Sequence, residues 1–410
     1  MATVSDNTTG TLNGLLKRVY GNEVTKLIPD NNYLTELIPF ESSNLIGEKY
    51  YQPVVLAAEQ GITYAAPGSG AAALQDSVAG TVSQAAVDSY QIAGQAQMSF
   101  DIAARALRAP NQTAFRKAMD QIIENLVLSV RKRLEINFLF GGTSVGTCTT
   151  GTTGTTIIIS SATWAPFVWA GAAGMKIDIY SSGGVFKGTT SVTGTSISAQ
   201  TLIVSTSGLA ASTDLIYLSG TVGNEAIGIY QILTTSNASL FGINNTNYDL
   251  WKGNTFTVGA TLTQNKLDQA FTQLVEKGFS GEAVLLVNPR VWTDLQNEQL
   301  ARINLAHDGA FQKKAELGTG KIVYNTQSGN TMTVVPHTIC PVGTAFLLDI
   351  SSWRRIGCVD IKLGGPLPGD EPLIRLPNNL GYQILAYSHQ AIFCDRPGFN
   401  SVLQTITAPF

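Results

Sequence analysis

The strongest periodic signal in the chain lies at residues 111–140. Phe115, Met119, Ile122, Ile123, Leu126, Val130, Leu134 and Phe138 recur at helical spacing, opposite Arg116, Asp120, Glu124, Arg131 and Glu135, so one stripe of the helix is apolar and the other charged. Pro110 followed by Asn111 at the N-cap gives a start, and Gly141-Gly142 gives a stop. At the α-helical rise the helix is about 45 Å long, a beam rather than an element of a compact domain. Before it the period changes to two. Tyr90, Ile92, Ala96, Met98 and Phe100 alternate with Gln91, Gln95, Gln97 and Ser99, and residues 48–56 (EKYYQPVVL) also favour a strand. The segment between them contains AAPGSGAAALQDSVAG, small and turn-forming. These two runs predict a long two-stranded excursion. An isolated ribbon has no second layer to bury its apolar face, so it is expected to rest on a neighbouring molecule. Residues 1–47, with a short helical pattern (Leu12, Leu15, Leu16, Val19) and breaks at Pro29 and Pro39, read as an arm.

After the long helix the character changes. Residues 141–260 hold seven charged side chains, whereas residues 111–140 hold eight in a quarter of the length. Thr, Ser, Gly, Val and Ile dominate, with strands expected at 156–159, 175–180, 201–204 and 215–218, punctuated by SSGG and GTTSVTGT. A small inserted all-β module is the reading. Thr263 then caps a helix whose Leu267, Ala270, Phe271 and Leu274 share a stripe, and Gly278 ends it. The strand at 283–287 and a helix opened by Asn288-Pro289, carrying Val291, Trp292 and Leu295, continue an α+β domain. A hairpin around Gln327-Ser328-Gly329-Asn330, a strand at 345–348, and runs at 381–394 and 400–407 flanking Asp395-Arg396-Pro397-Gly398 close the chain.

Composition narrows the function. The 410 residues suit two or three domains of about 150 residues. Only 13% are charged, against about 25% in ordinary soluble proteins, with 40 glycines and a mean hydropathy of +0.11. Such a balance excludes disorder and leaves an exterior short of charge, most simply covered by further copies of the same chain. A net charge of −3 gives no field for direct readout of nucleic acid. The first ten residues lack the pattern of a secretory signal, and no apolar run approaches the roughly 18 residues of a membrane span. Neither export nor a membrane is expected. Cys148, Cys340, Cys358 and Cys394 stand apart without a C-x-x-C, beside only His307, His337 and His389, which points to a reducing compartment and no structural zinc.

Catalytic chemistry is sought without success. The Gly-rich run 141–154 lacks the Lys-Ser/Thr of a phosphate loop and reads as a flexible linker. Gly278-Phe279-Ser280-Gly281 lacks nucleophile-elbow spacing and reads as helix termination. His307-Asp308 are neighbours in sequence without a third catalytic partner. Cys340, Cys358 and Cys394 read as small core residues, and Arg131-Lys132-Arg133 as a solvated or inter-subunit face. The N-x-S/T triplets at Asn111, Asn237 and Asn244 are weak without an export route. Trp164, Trp169 and Trp251 are too scattered for a sugar-binding platform. No catalytic, cofactor-binding or metal-ligating residue is assigned, and no cofactor.

The succession of arm, excursion, long helix, β insertion, helix–strand–helix domain and closing strands resembles the major capsid proteins of tailed bacteriophages with the Hong Kong 97-type fold. The resemblance is carried by NLVLSVRKRLEINFLFGG (125–142), by TLTQNKLDQAFTQLVEKGFSGEAVLLVNPRVWTDL (261–295), and by AGMKIDIY (173–180) with FGINNTNYDLWKGNTF (241–256), which are similar to the insertion of one subset. It implies an α+β fold with an N-terminal arm (1–47), an extended β-hairpin loop (48–100), a peripheral domain with the spine helix (101–142), an inserted β domain (143–260), an axial domain (261–375) and C-terminal strands (376–410) completing the peripheral and axial domains. It implies a structural subunit, not an enzyme, forming hexamers and pentamers of an icosahedral shell around double-stranded DNA contacted without sequence preference. Scaffolding, portal and decoration proteins are the implied partners, the virion capsid the implied location, and the host cytoplasm the place of assembly. Some family members cross-link through a lysine of the extended loop. Lys49 is the only lysine between 48 and 100 and sits at the loop's base, so non-covalent stability, or help from another protein, is the expectation here. An encapsulin-like compartment shell is the alternative within the fold, and a β-rich carbohydrate-binding or carbohydrate-cleaving protein the alternative outside it.

Overall fold

The computed structural model describes residues 32–42, 49–68, 70–101, 113–305, 322–326, 329–365, 373–377 and 379–408. The expected cap Asn111, the leucine pattern of the arm, the His307-Asp308 pair and the turn residues Gln327-Ser328 lie outside the described residues. In chain order the strands before the long helix are β1 (Phe40–Ser42), β2 (Tyr50–Ala57), β3 (Thr81–Val87) and β4 (Tyr90–Ser99). The long helix, Thr113–Phe140, follows as the periodicity predicts, about 42 Å at the standard rise. Leu126, Val130, Leu134 and Phe138 are buried on its inner side.

The excursion is built from other strands than expected. β2 pairs with β3, from Tyr50↔Val87 to Ala57↔Thr81, while β4 leaves the ribbon and pairs with β20 (Gly381–Cys394), from Gln390↔Tyr90 to Gly381↔Ser99. The physical reason lies in what covers the apolar positions of β4. The long helix packs on that face, so closely that a Cβ on Gly94 would lie 2.6 Å from Val130 Cγ2. A strand covered by a helix belongs to a domain layer, and TVSQAAV, weaker in large apolar residues, makes the ribbon's returning strand.

Within the span 143–260 expected to be an insertion, β5 (Gly146–Thr147), β6 (Thr156–Ile158), β7 (Lys176–Tyr180), β8 (Phe186–Ser196), β9 (Thr201–Val204) and β10 (Leu215–Leu218) form one sheet in the order β5-β10-β7-β8-β9-β6. The open ends meet. Thr149 N–H donates to Ile158 O and Ser160 N–H to Thr147 O, both at 2.8 Å, across a Cys148↔Ile159 bridge, which closes a small barrel. Ile157, Ile177, Ile179, Val192, Leu202 and Ile216 are buried in it. β8, its longest strand, contains the GTTSVTGT run expected to be turn. The run 141–154 is likewise not a linker: it holds β5, and Gly228 N–H donates to Gly141 O at 2.8 Å, a closeness that no side chain at Gly228 would permit.

After a short hairpin of β11 (Ser239–Leu240) and β12 (Ile243–Asn244), β13 (Asn254–Thr257), β14 (Glu282–Val287), β15 (Ile322–Asn325), β16 (Thr331–Pro336), β17 (Ala345–Leu348) and β21 (Ser401–Gln404) make a second sheet, ordered β13-β21-β17-β14-β16-β15. The expected helix Gln264–Glu276 packs beside it, with Leu267, Ala270, Phe271 and Leu274 buried. Gly278 at φ +95° ends it, with Phe279 N–H bonded to Leu274 O and Gly278 N–H to Val275 O, as in a Schellman stop. Thr263 stands at the N-cap without a side-chain cap bond, while Asn288 Oδ1 caps the next helix, Pro289–Leu305, by accepting from Arg290 N–H at 3.0 Å. β18 (Trp353–Leu363) and β19 (Leu373–Arg375) join β1, β20 and β4 in the first sheet. Residues from Trp353 onward therefore leave the unit expected at 261–375, and β13, expected within the insertion, enters the second sheet.

Asn400 joins the two sheets. Fully buried, it accepts at Oδ1 from Asp349 N–H and Trp353 Nε1–H, both 2.8 Å away. Its amide donates to Ser352 Oγ and Arg396 O at 3.0 Å. Replacing it with Leu strands two buried donors, each costing about 1–3 kcal/mol. A corresponding fall in the urea midpoint with unchanged slope is expected for Asn400→Leu.

Candidate functional site

Two features dominate the described residues: the ribbon and the buried end of the long helix. The ribbon's root belongs to its own subunit. Ala85 and Val87 are buried, Ala86 N–H donates to Phe241 O at 2.8 Å, Tyr50 meets Phe393 edge-on, and Lys49 pairs with Asp88 at 3.1 Å. Beyond Ala57 that support ends. Among the described residues the two limbs of 58–80 are joined by the Gln60↔Val78 bridge and by Gln75 N–H donating to Thr63 Oγ1 at 2.8 Å, yet Ile62, Leu74 and Val78 are exposed, and Tyr64 is 90% exposed. The expectation that the whole excursion rests on a neighbour thus holds for none of its root, which rests at home, and leaves the outer half without a second layer.

The long helix is buried on every side at its C-terminal end. Glu135, placed by its spacing on the charged face, is 0% exposed. It reaches the first turn of the helix Tyr33–Leu37, accepting from Leu34 N–H at 2.6 Å and from Thr35 N–H and Oγ1–H at 2.9 and 2.6 Å. Burial raises its pKa, and these bonds and the charge of Arg355 oppose that rise. Arg355 donates from Nε to Ile38 O at 2.8 Å, next to the parallel pairing of β1 with β18. The described part of the arm is therefore held by a buried acid and a buried base.

Of Arg131-Lys132-Arg133, only Arg131 faces solvent. Lys132 Nζ donates to Ala170 O at 2.5 Å and lies over the Phe167 ring, pinning the barrel to the helix. Burial, with Arg133 nearby, lowers its pKa to about 8. Arg133 lines a cleft of about 360 Å³ together with β4 and the loop at 218–225. Burial lowers its pKa and the Glu225 charge opposes the change.

A family model described as SU10 major capsid protein matches residues 4–356. The chain belongs to the SU10 major capsid protein family. This makes it the major capsid protein of a phage, a structural subunit and not an enzyme. Its fold is similar to that of a chain in the cyanophage A-1(L) capsid asymmetric unit, with a TM-score of 0.61 at 13% identity over 98% of this chain and 100% of that one. A chain of Mycobacterium phage Bobi gives 0.47 at 10% identity over 98% and 99%. A chain of an encapsulin complex from Synechococcus elongatus gives 0.44 at 8% identity over 99% and 98%. Comparison with curated proteins gives no match.

Several other side chains of the capsid protein singled out by sequence lie in its core. Trp164 and Trp169 stack at 15° with centroids 6.3 Å apart, fully buried and no sugar platform. Cys340 and Cys394 are core residues whose thiols burial pushes up, and Cys148 is pushed to about 12. Cys358 departs from expectation: it is exposed, at the register shift between Gly357 and Val359 that turns it out of the sheet. Among the described residues no group of three His, Cys, Asp or Glu side chains could hold a metal, and no helix is long and apolar enough to cross a membrane.

Lys132 supplies a test of the helix–barrel contact. Its folded pKa of about 8 lies below the ordinary 10.5, so between those values the unfolded chain binds a proton that the folded chain has released. Stability from this group rises with pH across that window and is flat below it. Urea unfolding at stepped pH should show this rise in the wild type and lose it in Lys132→Met.

Proposed function

We propose that copies of this capsid protein assemble into hexamers and pentamers that close an icosahedral shell around packaged double-stranded DNA, with each ribbon overlapping an adjacent copy. The observation that carries this reading is the outer half of the ribbon. Four large apolar side chains stand in water there, although a two-stranded ribbon needs a second layer to persist. The proposed units are the arm, the extended loop formed by β2 and β3, a peripheral layer of the first sheet under the spine helix, the inserted barrel and an axial second sheet.

The low charge suits this role. Repulsion among hundreds of copies opposes closure, and a net charge of −3 per subunit keeps it small. A wall so poor in cations neutralises few phosphates, so packaged DNA is held by confinement rather than gripped. Scaffolding, portal and decoration proteins are the proposed partners, and the host cytoplasm the proposed place of assembly. Lys49, the lysine at the ribbon's base, is already paired with Asp88, so the shell is read as held by non-covalent contacts.

The recombinant 410-residue chain, followed by light scattering and negative-stain microscopy, is expected to form capsomers, shells or sheets. A monodisperse monomer under every condition would refute the reading. Deletion of residues 62–80 is expected to leave circular dichroism and urea unfolding unchanged while abolishing particles. Undiminished particle yield would remove the ribbon from assembly.

A further inference from the structure

The ribbon joins the body of its subunit at a narrow corner. β3 ends at Val87 and β4 begins at Tyr90, yet the two strands lie in separate sheets, so no strand ladder carries the direction of one into the other. Ser89 Oγ lies 3.1 Å from His389 Nε2, which fixes the inner end of the corner to the first sheet. The Lys49–Asp88 pair ties the ribbon's two limbs to each other rather than to the body. Packing beside each strand is incomplete. A cleft of about 380 Å³ runs between Val54 and Leu56 on one side and Leu250, Trp251 and Phe399 on the other. A second, of about 150 Å³, lies beside Ala86 and Val87 with Ile227 and Ile392. Close packing resists tilting only where it fills space, so the direction of the ribbon depends on a few definite contacts.

The chief of these is made by a turn. β11 and β12 are joined by Phe241-Gly242, with φ of +51° and +83°. Asn-Gly takes two successive positive φ values readily, and a bulky aromatic residue rarely does. Phe241 holds that position and is 8% exposed. Its carbonyl accepts from Ala86 N–H at 2.8 Å. Its ring meets Phe393 edge-on, with centroids 5.1 Å apart, and Phe393 in turn meets Tyr50 at the start of β2. One residue therefore touches β3 through its backbone and reaches β2 through a second ring. The turn is itself firmly seated. Leu240 and Ile243 are buried, and Leu240 O accepts from Trp251 Nε1–H at 3.2 Å. The fully buried Asn245 accepts from Ala238 N–H and donates to Thr235 O. Backbone strain held in so well supported a place points to a task for the residue that bears it.

We propose that Phe241 is the positioning residue of the ribbon, fixing the tilt at which it leaves the body and thereby the curvature at which adjacent copies join. The inference rests on the shell reading above and adds to it what sets the size of the shell. Copies joined by a repeated contact close only when the rotation between neighbours is right, and otherwise run on into open arrays. A ribbon that overlaps the adjacent copy brings its own tilt into that rotation at every junction.

The test uses the full chain. Phe241→Asn suits the backbone of the turn and removes the ring. It is expected to form particles whose diameters spread well beyond those of the wild type, with sheets and tubes among them. In the unassembled variant, amide hydrogen exchange at Ala86 is expected to be about tenfold faster, as the loss of a local closing contact allows. Phe241→Leu keeps an apolar side chain in the core and is carried alongside in case the first variant does not fold, with a smaller change in the same direction expected. Val291→Ala, a buried change outside the ribbon's contacts, is expected to lower the urea midpoint and leave the diameters as they are. Equal broadening from Val291→Ala would reduce the effect to lost stability and overturn the positioning role. Wild-type diameters from the folded Phe241 variants, or unchanged exchange at Ala86, would overturn it as well and leave the shell reading intact. Absence of particles from the wild type would overturn both.

Discussion

From Leu134 to Phe140 the long helix has no solvent face, and the rest of the subunit is arranged by that constraint. A helix buried all round must be matched on each side by something that fills space and satisfies its polar groups. The first sheet supplies one side. The arm supplies another through the bonds to Glu135, the barrel a third through Lys132, and the segment at 225–228 a fourth through Asn137. Arm, sheet and insertion, far apart in sequence, are held in fixed relation because they share this one rod.

The ribbon presents the opposite condition. Its root is satisfied by its own subunit and its outer half is not, so the isolated chain carries a surface that only a further molecule can complete. The subunit has two conditions to meet, separate and assembled. Low charge serves both states: it does not protect the exposed apolar residues by repulsion, and it does not oppose the gathering of many copies.

The sequence showed elements wherever apolar positions recur within a few turns, as in the long helix and in the stripe from Leu267 to Leu274. It showed stops where glycine carries a backbone demand, as at Gly278. It did not show pairing. β3 and β4 are both plausible partners for β2, and the choice depends on a helix covering Gly94 and on β20, almost 300 positions away. β8 was missed because Thr, Ser and Gly signal turns by composition, whereas its β-branched threonines and Val192 suit a tightly curved barrel. For the candidate surfaces, the shortage of charge was legible. The different surroundings of Arg131, Lys132 and Arg133 were not, nor was the burial of Glu135, whose partners lie about 100 residues earlier.

Closure of the barrel has a consequence for how the nascent polypeptide folds. All of its strands lie between Gly146 and Leu218 and satisfy one another, so this unit can mature while later residues are still being translated. The two sheets cannot: β1 needs β18, β4 needs β20, and β13 waits for β21, all far later in the chain. Contacts of such long separation form slowly. The barrel and the β2–β3 ribbon, whose partners are near in sequence, can thus form ahead of the two sheets, which wait for strands translated much later.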